Sequence, residues 1–96
     1  MKYFTLGIHY PKPEHKEDIF RAIKKVADVA HTLKGLIEAG AWHDEAGDRI
    51  IMMSLWESEE YAHKASGILR PLIMQSPWGE WERKPSENFL GLKQLV

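Results

Sequence analysis

The sequence predicts an α+β fold, four strands and two helices in the order β-α-β-β-α-β. Three observations carry that reading. Residue type alternates with a period of two at the start, with Phe4, Leu6, Ile8 and Tyr10 on one side and Tyr3, Thr5, Gly7 and His9 on the other. From Glu14 the apolar residues change to helical spacing. Further on, the apolar run Ile50 to Trp56 stops at Ser58, whose hydroxyl suits a helix N-cap, followed by Glu59 and Glu60 where a helix favours negative charge.

The first strand covers residues 2–10 and ends at Pro11 and Pro13, which cannot donate ladder hydrogen bonds. The first helix starts at Glu14, carries Ile19, Phe20, Ile23, Val26, Ala27 and Ala30 at helical spacing, and stops at Gly35. Leu36 to His43 is the second strand, with Gly40 as a candidate bulge. Asp44 to Asp48 is a turn whose glycine, Gly47, is expected to take a positive φ. Ile50 to Trp56 is the third strand. The second helix runs from about Glu59 to Leu69, with Tyr61, Ala65, Ile68 and Leu69 inward and Pro71 as a kink or stop. Trp78 and Trp81, three apart after Pro77, share one side of a helical turn that either roofs a pocket or meets a partner, the latter preferred. A charged loop, 82–88, leads to a last strand, 89–96. Two crossover helices in this order pack on one face of a four-stranded antiparallel sheet, the ferredoxin-like arrangement.

Helices cover only one sheet face, yet the first and third strands are apolar on both. Phe4, Leu6, Ile8, Ile51, Met53 and Leu55 make a second apolar face where polar residues are the rule. Sheet-to-sheet packing between two copies is the simplest cover, so a homodimer is expected.

Ninety-six residues suit one domain spanning 1–96. A chain this short buries only roughly 60–70% of its unfolded surface, which makes oligomeric burial matter. Thirteen basic and fourteen acidic residues give a formal net charge of −1, and no basic footprint for nucleic acid or an acidic membrane. No cysteine is present, so disulfides, thiolate metal sites and a cysteine nucleophile are excluded. The opening residues lack a signal-peptide pattern and no apolar run spans a bilayer; a cytoplasmic protein is expected.

The strand ending Leu55-Trp56-Glu57-Ser58-Glu59-Glu60, together with element order and size, resembles the antibiotic biosynthesis monooxygenase family across nearly the whole chain. The opening His9-Tyr10-Pro11-Lys12-Pro13-Glu14-His15 looks like an uncharacterised bacterial branch of it. The resemblance implies a dimeric α/β barrel, no cofactor, and a pocket between sheet and helices for a small aromatic or hydrophobic molecule. Cofactor-free members that oxidise aromatic polyketides carry an Asn four residues before the strand Trp and a Tyr six after it. The matching positions here are Met52 and Ala62, with Trp56 kept and Tyr61 one place off. The Asn, Trp and His of haem-degrading members correspond to Gly7, Ala65 and about Gln75, so that set is absent.

Five histidines, His9, His15, His31, His43 and His63, are scattered without paired spacing, and no metal is expected. His15 is read as solvated, and His31 as complementing the first helix's negative end. His9 shares a strand side with Gly7, which the resemblance places over the pocket together with Trp56. A neutral imidazole there suits proton removal from a phenol, the step before electrons pass to oxygen. The alternative is that His9 caps the barrel rim and bonds a backbone carbonyl. Gly7 either widens the pocket floor or marks a bulge. His63 joins the site only if its side of the second helix faces the sheet. The reading is thus a cofactor-independent monooxygenase-like protein for a small flat phenolic or enolisable molecule. His9 and Trp56 are its candidate catalytic residues, and Gly7, Met52, Tyr61 and His63 its ligand contacts. The alternative is a non-catalytic barrel that binds a small hydrophobic ligand or serves as an interaction module.

Overall fold

A computed structural model describes residues 1–96. The elements are β1 (Tyr3–His9), a 3-10 turn (Pro13–His15), α1 (Lys16–Ala30), β2 (Leu36–Asp44), β3 (Arg49–Trp56), α2 (Glu59–Ile73), the single turn α3 (Trp78–Trp81) and β4 (Glu87–Leu92). The strands form one sheet in the order β2-β3-β1-β4, with every neighbouring pair antiparallel. This is the ferredoxin-like βαββαβ topology that the residue periods predict.

Register decides what each strand contributes. Tyr3 lies opposite Trp56, Thr5 opposite Ser54, Gly7 opposite Met52 and His9 opposite Ile50. Because side chains alternate across a sheet, these eight share one face. It is the helix-covered face, since Ile50 packs with Ile19 and Ile23 of α1, and Trp56 with Ala62 and Ala65 of α2. Phe4, Leu6, Ile8, Ile51, Met53 and Leu55 hold the other face.

Local chemistry sets the ends of the elements. Gly35 takes φ 91° beyond α1, a conformation that disfavours any Cβ. Ser58 accepts a hydrogen bond from the Tyr61 backbone N–H at 3.3 Å, capping α2.

Several expectations shift. Pro71 does not stop α2, which continues to Ile73 with the one intrahelical bond that a proline N–H cannot donate missing. On α2 the buried residues are Ala62 and Ala65, whereas Ile68 is exposed, as is Phe20 on α1. The bulge in β2 falls between Leu36 and Glu38, not at Gly40. In the β2–β3 turn the positive φ belongs to Asp48, at 47°, not to Gly47; a short polar side chain tolerates it. The first helix is preceded by a 3-10 turn where Glu14 was expected to begin it, and β4 stops at Leu92. Trp78 and Trp81, expected at an interface, pack against the Ile19, Ile23 and Ile50 core of their own chain. No helix is long and apolar enough to cross a membrane.

Candidate functional site

The sheet and the two helices do not close on one another completely. Between them lies a cavity of about 550 Å³, within the range of small-molecule sites. Ile23, Val26, Ala27 and Ala30 of α1 form one wall, and Ala62, Leu69 and Ile73 of α2 another. Thr5, Met52, Ser54 and Trp56 supply the sheet side, with Asn88 and Leu90 from β4. Small residues on both helices keep the space open: alanines at 27, 30 and 62 stand where larger side chains would fill it.

The polar groups on the sheet side engage one another. Trp56 Nε1–H donates to Ser54 Oγ at 2.9 Å, and Ser54 Oγ lies 2.5 Å from Thr5 Oγ1. With 2% of its surface exposed, Trp56 is held by packing as well as by that bond. At the mouth, α2 presents His63, Ser66 and Arg70. The His63 ring meets Tyr3 edge-on, with centroids 5.9 Å apart, and its Nε2 lies 3.6 Å from Glu59 Oε1.

Of the residues singled out in the sequence, Trp56, Met52 and His63 line this cavity. Gly7 lies just behind its wall. A Cβ on Gly7 would come within 3.2 Å of Met52 Cγ and 3.3 Å of Asn88 Oδ1, so the glycine lets those two lining residues approach. Its pairing with Met52 is regular, which removes the bulge reading. Tyr61 points elsewhere, packing over Gly35 and the Trp56 cluster.

His9 is on the same sheet face as Trp56 but does not line the cavity. The two are at opposite ends of β1, because Trp56 pairs with Tyr3, six strand positions away, or about 20 Å. His9 is instead buried beneath α3. Its ring stacks on Trp78 at a centroid distance of 4.9 Å, and its Nδ1 lies 3.2 Å from Glu82 Oε1. A carboxylate only accepts, so the Nδ1–H donates and the tautomer is fixed. The same Glu82 oxygen accepts the Tyr10 backbone N–H at 3.0 Å. Burial lowers the His9 pKa below its ordinary 6.5, although Glu82 pulls the other way. His9 therefore ties β1 to the segment after α3 through a carboxylate, not through the backbone carbonyl anticipated for a structural role. His15, expected to be solvated, is half-buried: it bonds Asp18 at 2.9 Å and stacks over Trp81.

Glu82 and Arg70 were not visible as site residues in the sequence. Glu82 sits in a run of charges, and only the fold closes it over His9. Arg70 did carry a signal, since His63, Ser66 and Arg70 recur at intervals of three and four on one helix side.

No family model matches the sequence, and no curated protein matches it. Solved structures do match the fold. Rv0793 from Mycobacterium tuberculosis superposes with a TM-score of 0.82 at 11% identity, with all of both chains covered. SnoaB, a cofactor-independent oxygenase from Streptomyces nogalater, gives 0.80 at 8% identity over 99% of this chain and 95% of its own. An antibiotic biosynthesis monooxygenase of known structure gives 0.79 at 8% identity, covering 98% of this chain and 99% of its own. The chain thus has a monooxygenase-like fold, in agreement with the resemblance carried by Trp56-Glu57-Ser58-Glu59.

Proposed function

We propose that the protein is a monooxygenase-like protein that takes a small, flat, phenolic or enolisable molecule into the cavity between sheet and helices, works as a homodimer and uses no cofactor. The observation that carries this is the cavity itself: 14 of its 21 lining residues are hydrophobic, in a fold also used by a cofactor-independent oxygenase. Trp56 forms part of the wall against which a planar ring would lie. The proton acceptor in this reading is His63, not His9, because His63 is the imidazole that reaches the cavity. Its task is to take the substrate's acidic proton, leaving an anion from which electrons pass to oxygen.

The test is oxygen consumption with a panel of flat phenols and enolisable ketones. His63→Ala is expected to leave the fold intact and to change ligand affinity only modestly while lowering turnover about 10²–10⁴-fold. Turnover unchanged in that variant would remove His63 from the chemistry.

A second reading, a non-catalytic binding module, is favoured by one observation. Met52 and Ala62 line the cavity at the two positions where the resemblance to cofactor-free oxidising proteins implies Asn and Tyr. On that reading the same panel binds but consumes no oxygen, and His63→Ala alters affinity only modestly.

A further inference from the structure

We propose that the ligand of this cavity is an organic anion: a flat apolar body bearing one oxyanion group, which is held at the mouth by Arg70 with His63 beside it. The proposal rests on the reading that the cavity binds a small molecule, and it adds the charge of that molecule.

The lining is electrically one-sided. The chain has fourteen acidic residues, yet no Asp or Glu lines the cavity, and Arg70 is its one permanently charged residue. Arg70 also differs from the other arginines. Arg21 pairs with Asp18 at 3.0 Å, Arg49 with Asp44 at 2.7 Å, and Arg83 donates to the backbone carbonyls of Pro11, Gly47 and Asp48. No side chain of opposite charge lies within ion-pair distance of Arg70.

Helix geometry directs these groups to the mouth. His63, Ser66 and Arg70 fall on one side of α2, next to the apolar Ala62, Leu69 and Ile73 that line deeper space. Glu59, the carboxylate nearest His63, is two-thirds exposed and outside the lining, so it does not neutralise Arg70. An apolar body entering past this stripe leaves its last polar group beside a guanidinium with five donors and no internal acceptor. A cationic ligand would meet uncompensated repulsion there; a neutral one would leave the arginine unused. If the ligand is a phenolate or enolate, the same charge favours the deprotonated form.

A matched pair of fluorescent probes tests the charge. Anilinonaphthalene sulfonate is anionic; phenylnaphthylamine has the same rings without the charge. The anionic probe is expected to bind about tenfold more tightly, and Arg70→Gln to remove about that factor for it alone. Added salt should weaken only the anionic probe. Arg70 is exposed, so the variant keeps its fold, which circular dichroism verifies. An Arg70→Gln protein that binds the anionic probe as tightly as the parent overturns the proposal. Ser66→Trp, which blocks the mouth from an exposed position, separates the two levels of argument. If it expels both probes while Arg70→Gln has no effect, the cavity binds ligands and the anion proposal fails. If both probes still bind to it unchanged, they sit elsewhere and the cavity reading fails too.

Discussion

His9 and Glu82 are the two buried polar residues of the molecule, with side chains 9% and 5% exposed. Removing the carboxylate strands two buried donors, the His9 Nδ1–H and the Tyr10 N–H. Glu82→Ala is therefore expected to destabilise the fold by about 2–4 kcal/mol, read from the urea denaturation midpoint. The pH dependence follows from the direction of the His9 shift. Its folded value lies below the unfolded 6.5, so the unfolded chain binds the proton more readily. The neutral ring's stability is full above that unfolded value and is lost as pH falls towards the folded one. Thermal denaturation should show the melting temperature dropping from about pH 7.5 to about pH 5.5, with a flatter profile in His9→Gln. An equal slope in both proteins would place the effect on another histidine. Asp18, Asp44 and Asp48 are held below 3.8 by His15 and Arg21, by Arg49, and by Lys16 and His43 respectively, so they act at lower pH. Strand parity revealed which face His9 takes. Its partner, 73 positions away in sequence, was not legible.

At the scale of elements, the junction between α1, β2 and α2 depends on Gly35. Its φ of 91° ends α1, and a Cβ there would collide with Tyr61 Cγ in the first turn of α2. Gly35→Ala thus combines backbone strain with overpacking. Together they are expected to cost about 2–5 kcal/mol, measured by chemical denaturation, with the α2 cluster around Trp56 loosened first. A change under about 1 kcal/mol would mean both that Tyr61 swings aside and that the loop relaxes out of its positive φ. The role of Gly35 as a stop was legible from its place after a periodic run. The role of Tyr61 was not, because only packing brings α2 over that loop. Trp78 and Trp81 teach the same lesson: their spacing announced a helical turn, but the turn's partner proved to be this chain's own core.

The whole molecule is a thin slab, 38 × 30 × 18 Å, one sheet and one helical layer deep. Only 13 of 96 residues are buried, and the uncovered sheet face carries Phe4, Leu6, Ile8, Ile51, Met53 and Leu55, with the exposed Trp42 alongside. Such a face is expected to pair with its copy in a second chain, each fully covered apolar side chain contributing about 1.5–3 kcal/mol. Light scattering should then give twice the 11.1 kDa chain mass at low micromolar concentration. Met53→Glu, a charge at the centre of that face, should yield a monomer of lower melting temperature. A well-folded parent monomer under the same conditions would refute the dimer.

By itself the sequence determined what is local. Pleat and helix pitch fix which residues share a face, so both faces of β1 and β3, the Ser58 cap, the Gly35 stop and the βαββαβ order were all legible. Register and packing belong to the tertiary structure, because they depend on which distant residues stand opposite one another. Antiparallel pairing set Trp56 against Tyr3 and sent His9 to the far end of the same face. The closing of α3 gave His9 its stacking partner and placed Glu82 beside it. The packing of α2 over the sheet carried His63 and Arg70 to the cavity. A side chain's direction is set by its own backbone, whereas its neighbours are chosen by the free energy of burying the whole sheet face at once.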